Sequence, residues 1–405
     1  MPPTIALLGS LDTKGAEYRF VKECIEAAGL GALVIDLGIL GAPGLEPNIP
    51  REEVAAAGGA ALAALVSKAD RGEAVAAMTR GAEALVPKLY AEGRFQGVMA
   101  MGGSGGTAMA CAAMRMLPIG VPKVMVSTLA GTDVSPYVGV KDIVMIPSIV
   151  DISGINRISR EVLARAAGAV CGMVTAKVPF GQDKPLIVAS MFGNTTNCVE
   201  AAKGFLEERG YEVLVFHATG TGGRTMESLI EAGLISGVLD ITTTEWADEL
   251  VGGVLSAGPT RLEAAARIGI PVVVVPGCLD MVNFWAPETV PDRFKGRKFY
   301  PHNPNVTLMR TNVEENRELG RILAEKLNQS LGPVTVLFPL KGLSMIDSPG
   351  GPFWWPEADQ ALLGSLKEDL RRDIPVVELD HNINDPEFAR ICAEELLKMM
   401  RRENH

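Results

Sequence analysis

The residues best suited to chemistry in this sequence stand directly after short apolar runs. The stretch MGGSGGTAMA, from residue 101, sets Gly102, Gly103, Gly105 and Gly106 between a strand and a helix. Absent Cβ atoms at such a turn let an anion approach backbone N–H groups, and Ser104 and Thr107 add hydroxyls. A tight strand-to-helix connection is the alternative use of the same glycines. Gly103, Gly105 and Ala108 satisfy GxGxxA, but the loop follows the third strand and no Lys follows as in a P-loop, so neither standard nucleotide fingerprint is met. Two neighbouring loops share its character. LDTKGAE puts Asp12, Thr13 and Lys14 at a helix entrance, Thr13 as a cap and Lys14 toward an anion. STLAGTD puts Thr128, Gly131, Thr132 and Asp133 after another strand, and Asp36 closes the second strand, where a dinucleotide fold binds ribose hydroxyls.

The carboxyl half is richer in reactive side chains. HATGTGGRTME ends a strand in His217 and opens a helix through Gly220, Thr221, Gly222 and Gly223, with Arg224 and Thr225 close behind, a cradle for phosphate or carboxylate. Before it, Asn194, Thr195 and Thr196 crowd another helix entrance, where capping explains one of the three. Glu245, Asp280, His302, Lys341, Asp347 and His381 occupy later turns. This set permits general acid–base work by His217, His302 or His381, with neighbouring carboxylates orienting the imidazole. The His and Asp spacings do not resemble HExxH, so no transition metal is expected; Mg²⁺ accompanying a phosphate needs only one or two carboxylates. Cys278 and Ser344 lie in no recognised nucleophile motif.

Parallel strands must hold these turns. In the first half the Val/Ile-rich runs begin at Thr4, Gly31, Gly97, Lys123 and Ile143; in the second they begin at Pro185, Tyr211, Ser236, Pro271, Pro333 and Pro375. Each is followed by a segment of helical period, the pattern of βαβ units. The alanine-rich stretch 51–93 predicts two helices divided near residues 70–72, and a helix is expected from about Ser153. The segment KVPFGQDKP, residues 177–185, marks a boundary. The fold expected is α/β: two doubly wound, mostly parallel-sheet Rossmann-like domains, 1–180 for nucleotide and 181–405 for substrate, with a cleft between them.

Composition agrees with that plan. A chain of 405 residues suggests two domains, and 47% apolar with 21% charged residues is ordinary for a globular protein. A net charge of −10 argues against nucleic-acid and anionic-membrane partners. Six cysteines without a CxxC pair fit a reducing cytoplasm. The amino end has no basic region before its short apolar run, and no apolar run is long enough to span a bilayer, so neither export nor membrane insertion is expected.

The blocks LDTKGAE, MGGSGGT, HATGTGGRTME, TTTEWADELVGG, PGCLDMVNFW, FPLKGLSMID and LDHNINDPEFA, in this order along nearly the whole chain, resemble the Tm-one-like ATP-binding domain family. The resemblance implies two Rossmann-like domains, ATP binding and self-association into a homo-oligomer. It does not carry over the antiviral activity of the plant member. ATP is therefore expected on the turn at residues 102–107, with Lys14 and Thr132 assisting and Mg²⁺ sharing the charge. A small acidic metabolite is expected at His217 and Arg224, and phosphoryl or acyl-phosphate transfer would join the two. Two other functions stay open: an ATP-independent hydrolase or carbon–carbon lyase built on the His and acid loops, and a non-catalytic nucleotide-gated binding module.

Overall fold

The computed structural model describes residues 2–68, 70–177, 181 and 183–402, so the boundary segment 177–185 lies partly outside the described residues. The chain divides into two compact units, Met1–Phe180 and Gly181–His405.

Unit 1 is an α/β layer structure. Its strands are β1 (Thr4–Gly9), β2 (Gly31–Asp36), β3 (Gly97–Gly102), β4 (Lys123–Ser127) and β5 (Val144–Pro147), and its helices are α1 (Leu11–Ala27), α2 (Arg51–Ala57), α3 (Leu62–Lys68), α4 (Arg71–Ala91), α5 (Ser104–Arg115), the short α6 (Ser135–Val138) and α7 (Arg157–Thr175). The strands pair in parallel in the order β2-β1-β3-β4-β5. Alternate residues of one strand serve two cores, because successive side chains leave a sheet on opposite faces. Ala6 and Leu8 pack with Met78, Leu85 and Met109 of α4 and α5, while Ile5 and Leu7 pack with Val21, Leu163 and Val170 of α1 and α7. Helices thus cover both faces, which makes the sheet doubly wound.

Unit 2 repeats the scheme. Its parallel strands are β6 (Leu186–Met191), β7 (Glu212–His217), β8 (Gly237–Thr242) and β9 (Val272–Gly277); β10 (Met281–Phe284), β11 (Phe299–Asn303) and β12 (Val306–Arg310) follow, and then the parallel pair β13 (Val334–Pro339) and β14 (Val376–Leu379). The main sheet runs β14-β13-β9-β8-β6-β7, and β10-β12-β11 form a separate antiparallel sheet. The helices are α8 (Thr196–Glu207), α9 (Thr221–Glu231), α10 (Glu245–Val251), α11 (Glu263–Ile268), α12 (Val313–Leu327), α13 (Pro356–Asp369) and α14 (Pro386–Arg402). Again there are two cores: Val188, Val238 and Val274 face α9, α12 and α13, and Ile187, Leu239 and Val273 face α8 and α14.

Three local expectations need correction. The stretch after β2 forms three helices rather than two, because the chain breaks at Gly58 and Gly59, the latter with φ +76°, as well as at Asp70, whose carboxylate caps α4 at Glu73 N (3.0 Å). Helix α7 starts at Arg157 instead of Ser153, since Asn156 and Ser159 form a reciprocal capping box that fixes its entrance. The antiparallel sheet arises from segments read as loops. Its strands are four or five residues long, and Pro301, His302 and Asn303 interrupt any alternation.

Candidate functional site

In a parallel sheet of order 2-1-3-4-5, connections leave β1 and β3 toward opposite faces, and a crevice opens at their carboxyl ends. Unit 1 has a cavity of about 550 Å³ at this point. It is lined from three loops: Ser10 to Lys14 after β1, Leu37 to Leu40 after β2, and Met101 to Gly106 after β3. Tyr18 of α1 holds the two strand ends apart. Its buried hydroxyl accepts from Met101 N (2.9 Å) and also lies against the carbonyls of Met101 (3.0 Å) and Leu8, just past the last paired residues, Leu8 and Ala100. Burial pushes this phenol well above its ordinary pKa. A Cβ at Gly9 would sit 2.0 Å from the tyrosine ring, so only glycine fits there.

The glycine turn supplies free donors. Helix α5 has Gly103 as its N-cap without a side-chain cap, and Thr107 N is the first amide of the turn to find a carbonyl, that of Gly103 at 2.8 Å. The amides of Ser104, Gly105 and Gly106 are the orphan donors of the first turn. Gly102 packs backbone to backbone on Gly106, where a Cβ would meet its Cα at 3.0 Å, whereas a Cβ at Gly105 would meet nothing within 4 Å. The first is a packing glycine; the second borders open space. Lys14 lines the cavity at a kink in α1, and its ammonium donates to the carbonyl of Ile152 at 2.6 Å. Asp12 accepts at Oδ2 from the amides of Ile39 (2.9 Å) and Leu40 (2.6 Å), while its buried Oδ1 has no partner. Leu40, Leu65, Val66, Met78 and Met109 add apolar wall, and Asp70 and Arg71 also line the cavity.

Several expected ligands in unit 1 are committed to the fold. Asp36 is fully buried and accepts from Arg51 Nε (2.8 Å), Leu11 N and Gly38 N, so it cannot receive ribose hydroxyls. The Thr107 hydroxyl is buried against Ser127 Oγ at 2.7 Å. Thr13 does not cap α1 with its side chain; its hydroxyl bonds back to Ser10 O at 3.3 Å on the cavity rim. Thr128, Gly131, Thr132 and Asp133 do not line the cavity: Thr132 donates to Leu129 O and Asp133 accepts from Ser135 N, closing their own turn.

In unit 2 the cradle at Gly220 to Gly223 is already filled by a side chain. Glu245 Oε1 accepts from Gly220 N (2.7 Å) and Gly223 N (3.1 Å), and Oε2 accepts from Arg261 Nε (2.8 Å). The protein's own carboxylate occupies the anion position at the α9 N-terminus, which corrects both the expected substrate cradle and the expected catalytic role of Glu245. Gly223 is glycine for that reason, since its Cβ would lie 2.1 Å from Glu245 Oε2, and at Gly222 a Cβ would lie 1.8 Å from the His217 carbonyl. Arg261, fully buried, is further held by Asp240 (2.6 and 2.7 Å) and Glu227 (3.2 Å).

Other expected site residues of unit 2 are structural too. Asn194 and Thr195 are buried; Thr195 bonds Thr242 Oγ1 at 2.7 Å, and Thr196 bonds back to the Gly193 carbonyl. Thr225 donates to Thr221 O within α9. Asp280 and Asp347 belong to a buried cluster with Arg310 and Asp359, in which Arg310 meets Asp359 at 2.7 Å and Asp347 at 3.4 Å, and Ser344 donates to Asp280. Burial holds the carboxyls of Asp280, Asp347 and Asp359 above the usual carboxylate range. Lys341 and His381 sit at the surface instead, Lys341 paired with exposed Asp380 (2.8 Å) and His381 with Asp385 (3.3 Å). His217, Thr221, Arg224 and His302, by contrast, share one cavity of about 680 Å³ at the ends of β6 and β7 and beside the antiparallel sheet. Among the described residues, no group of three or more His, Cys, Asp and Glu side chains is arranged to hold a metal ion, and no helix is long and apolar enough to cross a membrane.

With the geometry of both units in view, comparison with known proteins places the chain. Residues 3–179 match the N-terminal domain and residues 184–400 the C-terminal domain of the uncharacterised protein family UPF0261. The chain belongs to that family. The UPF0261 protein of Clostridium tetani is 54% identical over 402 residues, covering 99% of this chain and 100% of that one. The tomato (Solanum lycopersicum) ToMV resistance protein Tm-1(GCR237) is 39% identical over 429 residues, covering all of this chain but 56% of the tomato protein, consistent with the resemblance read from the sequence blocks. Among solved structures, UDP-N-acetylglucosamine 2-epimerase from Rickettsia bellii aligns over 99% of this chain and 97% of its own at 10% identity and TM-score 0.23, too loose a likeness to bear on chemistry.

Sequence reasoning missed the residues that neutralise or orient the reactive ones. Arg51 and Arg261, buried counter-ions of Asp36 and Glu245, carry no local signal, and neither does Tyr18. The apolar walls of both cavities were visible only as ordinary core candidates, because wall and core residues have the same composition.

Proposed function

We propose that this UPF0261 chain binds ATP in the crevice of unit 1, its phosphates on the amides of Ser104, Gly105 and Gly106 and on Lys14. The observation that carries the reading is the first turn of α5, whose three amides at Ser104, Gly105 and Gly106 have no acceptor among the described residues and border a cavity at the β1/β3 switch point, a position that favours negative charge. The cavity volume suits a nucleotide-sized ligand, and Leu40, Leu65, Val66 and Met78 give it apolar wall for a base. Asp12 fits a supporting role for Mg²⁺: it lines the cavity, and its buried Oδ1 has no partner among the described residues. Mg²⁺ would neutralise part of the phosphate charge there. Asp36, Thr107 and Thr132 take no part.

The test is ATP titration by calorimetry with the full chain and its Gly105→Val and Lys14→Ala variants. A valine at 105 has open space on the protein side and projects where phosphate would lie, so the thermal transition should hold while affinity falls at least tenfold. Losing the Lys14 ammonium should cost a charge-assisted hydrogen bond, about 1.5–3 kcal/mol. Unchanged affinity in both variants would reject the seat.

A further inference from the structure

We propose that unit 2 carries a separate site for a small organic monocarboxylate with an apolar body and a hydroxyl or amine donor. This goes beyond the ATP reading and does not depend on it. Among the described residues, the cavity of about 680 Å³ has no Asp or Glu in its lining, in a chain with 48 acidic residues, yet Arg224, His217 and His302 all line it. Arg224 is exposed, and its guanidinium bonds only neutral oxygens, Ser256 O and Thr221 Oγ1, both at 3.3 Å. Among the described residues it has no carboxylate partner. The acids nearby are engaged elsewhere: Glu245 by Arg261 and two amides, and Glu249 by the Ser256 hydroxyl. A guanidinium on a cavity wall without an internal anion is matched by a ligand carboxylate, which its planar fork receives through two bonds.

A second observation points to the ligand's other polar group. Asn283 is fully buried and lines the same cavity. Its Nδ2 donates to Asp248 Oδ2 at 2.6 Å, and its buried Oδ1 has no partner among the described residues. Leaving a buried acceptor unmade is costly, so a ligand hydroxyl or amine there recovers free energy. Phe192, Leu255, Phe284, Trp285 and Val306 supply apolar wall. Trp285 is about half exposed, at 51%, an aromatic free to cover a bound ligand. A phosphate is the poorer match. The α9 N-terminus, which would have carried its second charge, is closed by Glu245, and one guanidinium balances one carboxylate.

The experiment titrates the full chain, without ATP, with 3-phenyllactate and 2-hydroxyisocaproate, each compared with its uncharged amide, and with inorganic phosphate as competitor. At least one acid should bind, its amide at least tenfold more weakly, and phosphate should not displace it. Arg224→Gln should reproduce the loss seen with the amide. Val306→Phe, which fills the cavity and leaves the arginine, should abolish binding; thermal transitions identify any variant that fails to fold. Gly105→Val should bind the acid as wild type does, so that a failed ATP site and a failed carboxylate site are told apart. The proposal is overturned if neither acid binds at millimolar concentration, if the amides bind as well as the acids, or if Arg224→Gln retains wild-type affinity.

Discussion

Tyr18→Phe tests whether the crevice of unit 1 is held open by one phenol. The substitution keeps the ring, which fills the space that glycine leaves at position 9, and removes only an oxygen that is wholly buried. That oxygen accepts from Met101 N at 2.9 Å and has one proton to give to the carbonyl of Leu8 or Met101. Its loss leaves one amide and one carbonyl without a partner beneath the cavity. At about 1–3 kcal/mol for each of the two buried unsatisfied groups, the cost should be roughly 2–6 kcal/mol, a large share of the stability of a unit this size. Hydrogen exchange followed by mass spectrometry localises the effect, since peptides covering β1 and β3 report their own opening. Every 1.4 kcal/mol is tenfold, so exchange there should quicken by roughly thirtyfold or more. Unfolding in urea should show a matching fall in stability. Exchange in both strands within about threefold of wild type would refute the reasoning, because the freed groups would then have found each other by closing the strand ends.

Two further outcomes follow from buried charge in unit 2. Glu245→Ala leaves two amides of the α9 N-terminus and part of Arg261 uncompensated, and should destabilise the chain by on the order of 3 kcal/mol; added formate or phosphate should restore part of the lost thermal stability, and no rescue would show that the position does not accept a free anion. Asp248 lies under Asn283 with its carboxyl pushed up to about 7, by burial first and by the Glu245 charge in addition, against the hydrogen bonds from Asn283. Because the folded-state value is raised above the unfolded one, this group favours the native state most below about pH 4, and that contribution falls by roughly 1.4 kcal/mol per pH unit until about pH 7. The stability difference between wild type and Asp248→Asn, measured in urea from pH 4 to 8, should therefore move steadily in favour of the variant up to about pH 7 and then level; a flat difference would count against a neutral Asp248.

The site was legible in part because one of its signals is local. Four glycines after an apolar run locate the α5 entrance at the mouth of the sheet, and the cavity is lined by that turn and by the Asp12–Lys14 loop. The comparable glycines at 220–223 carry the same signal and have the opposite outcome, since the anion they receive is Glu245, more than twenty residues away. Nothing within the HATGTGGRTME block distinguishes the two cases. The histidines separate in the same way: His217 and His302 share a cavity because the antiparallel sheet lies beside the end of β7, while His381, in an equally polar turn, sits on Asp385.

The sequence by itself determined the two series of parallel strands and the helices that flank them. It also determined which turns stand at the carboxyl ends. Those features depend on the spacing of apolar residues over ten to twenty positions, a property each segment carries alone. Only the tertiary structure decided which charges are available. Arg51 closes Asp36 across 15 residues, Arg261 holds Asp240 across 21, and Arg310 holds Asp359 across 49. A desolvated charge must be met by whichever opposite group the packed chain brings to it. That is why Arg224, read from the sequence as an acid-binding residue, is told apart from Arg261 only by the fold, which among the described residues leaves it without a carboxylate partner.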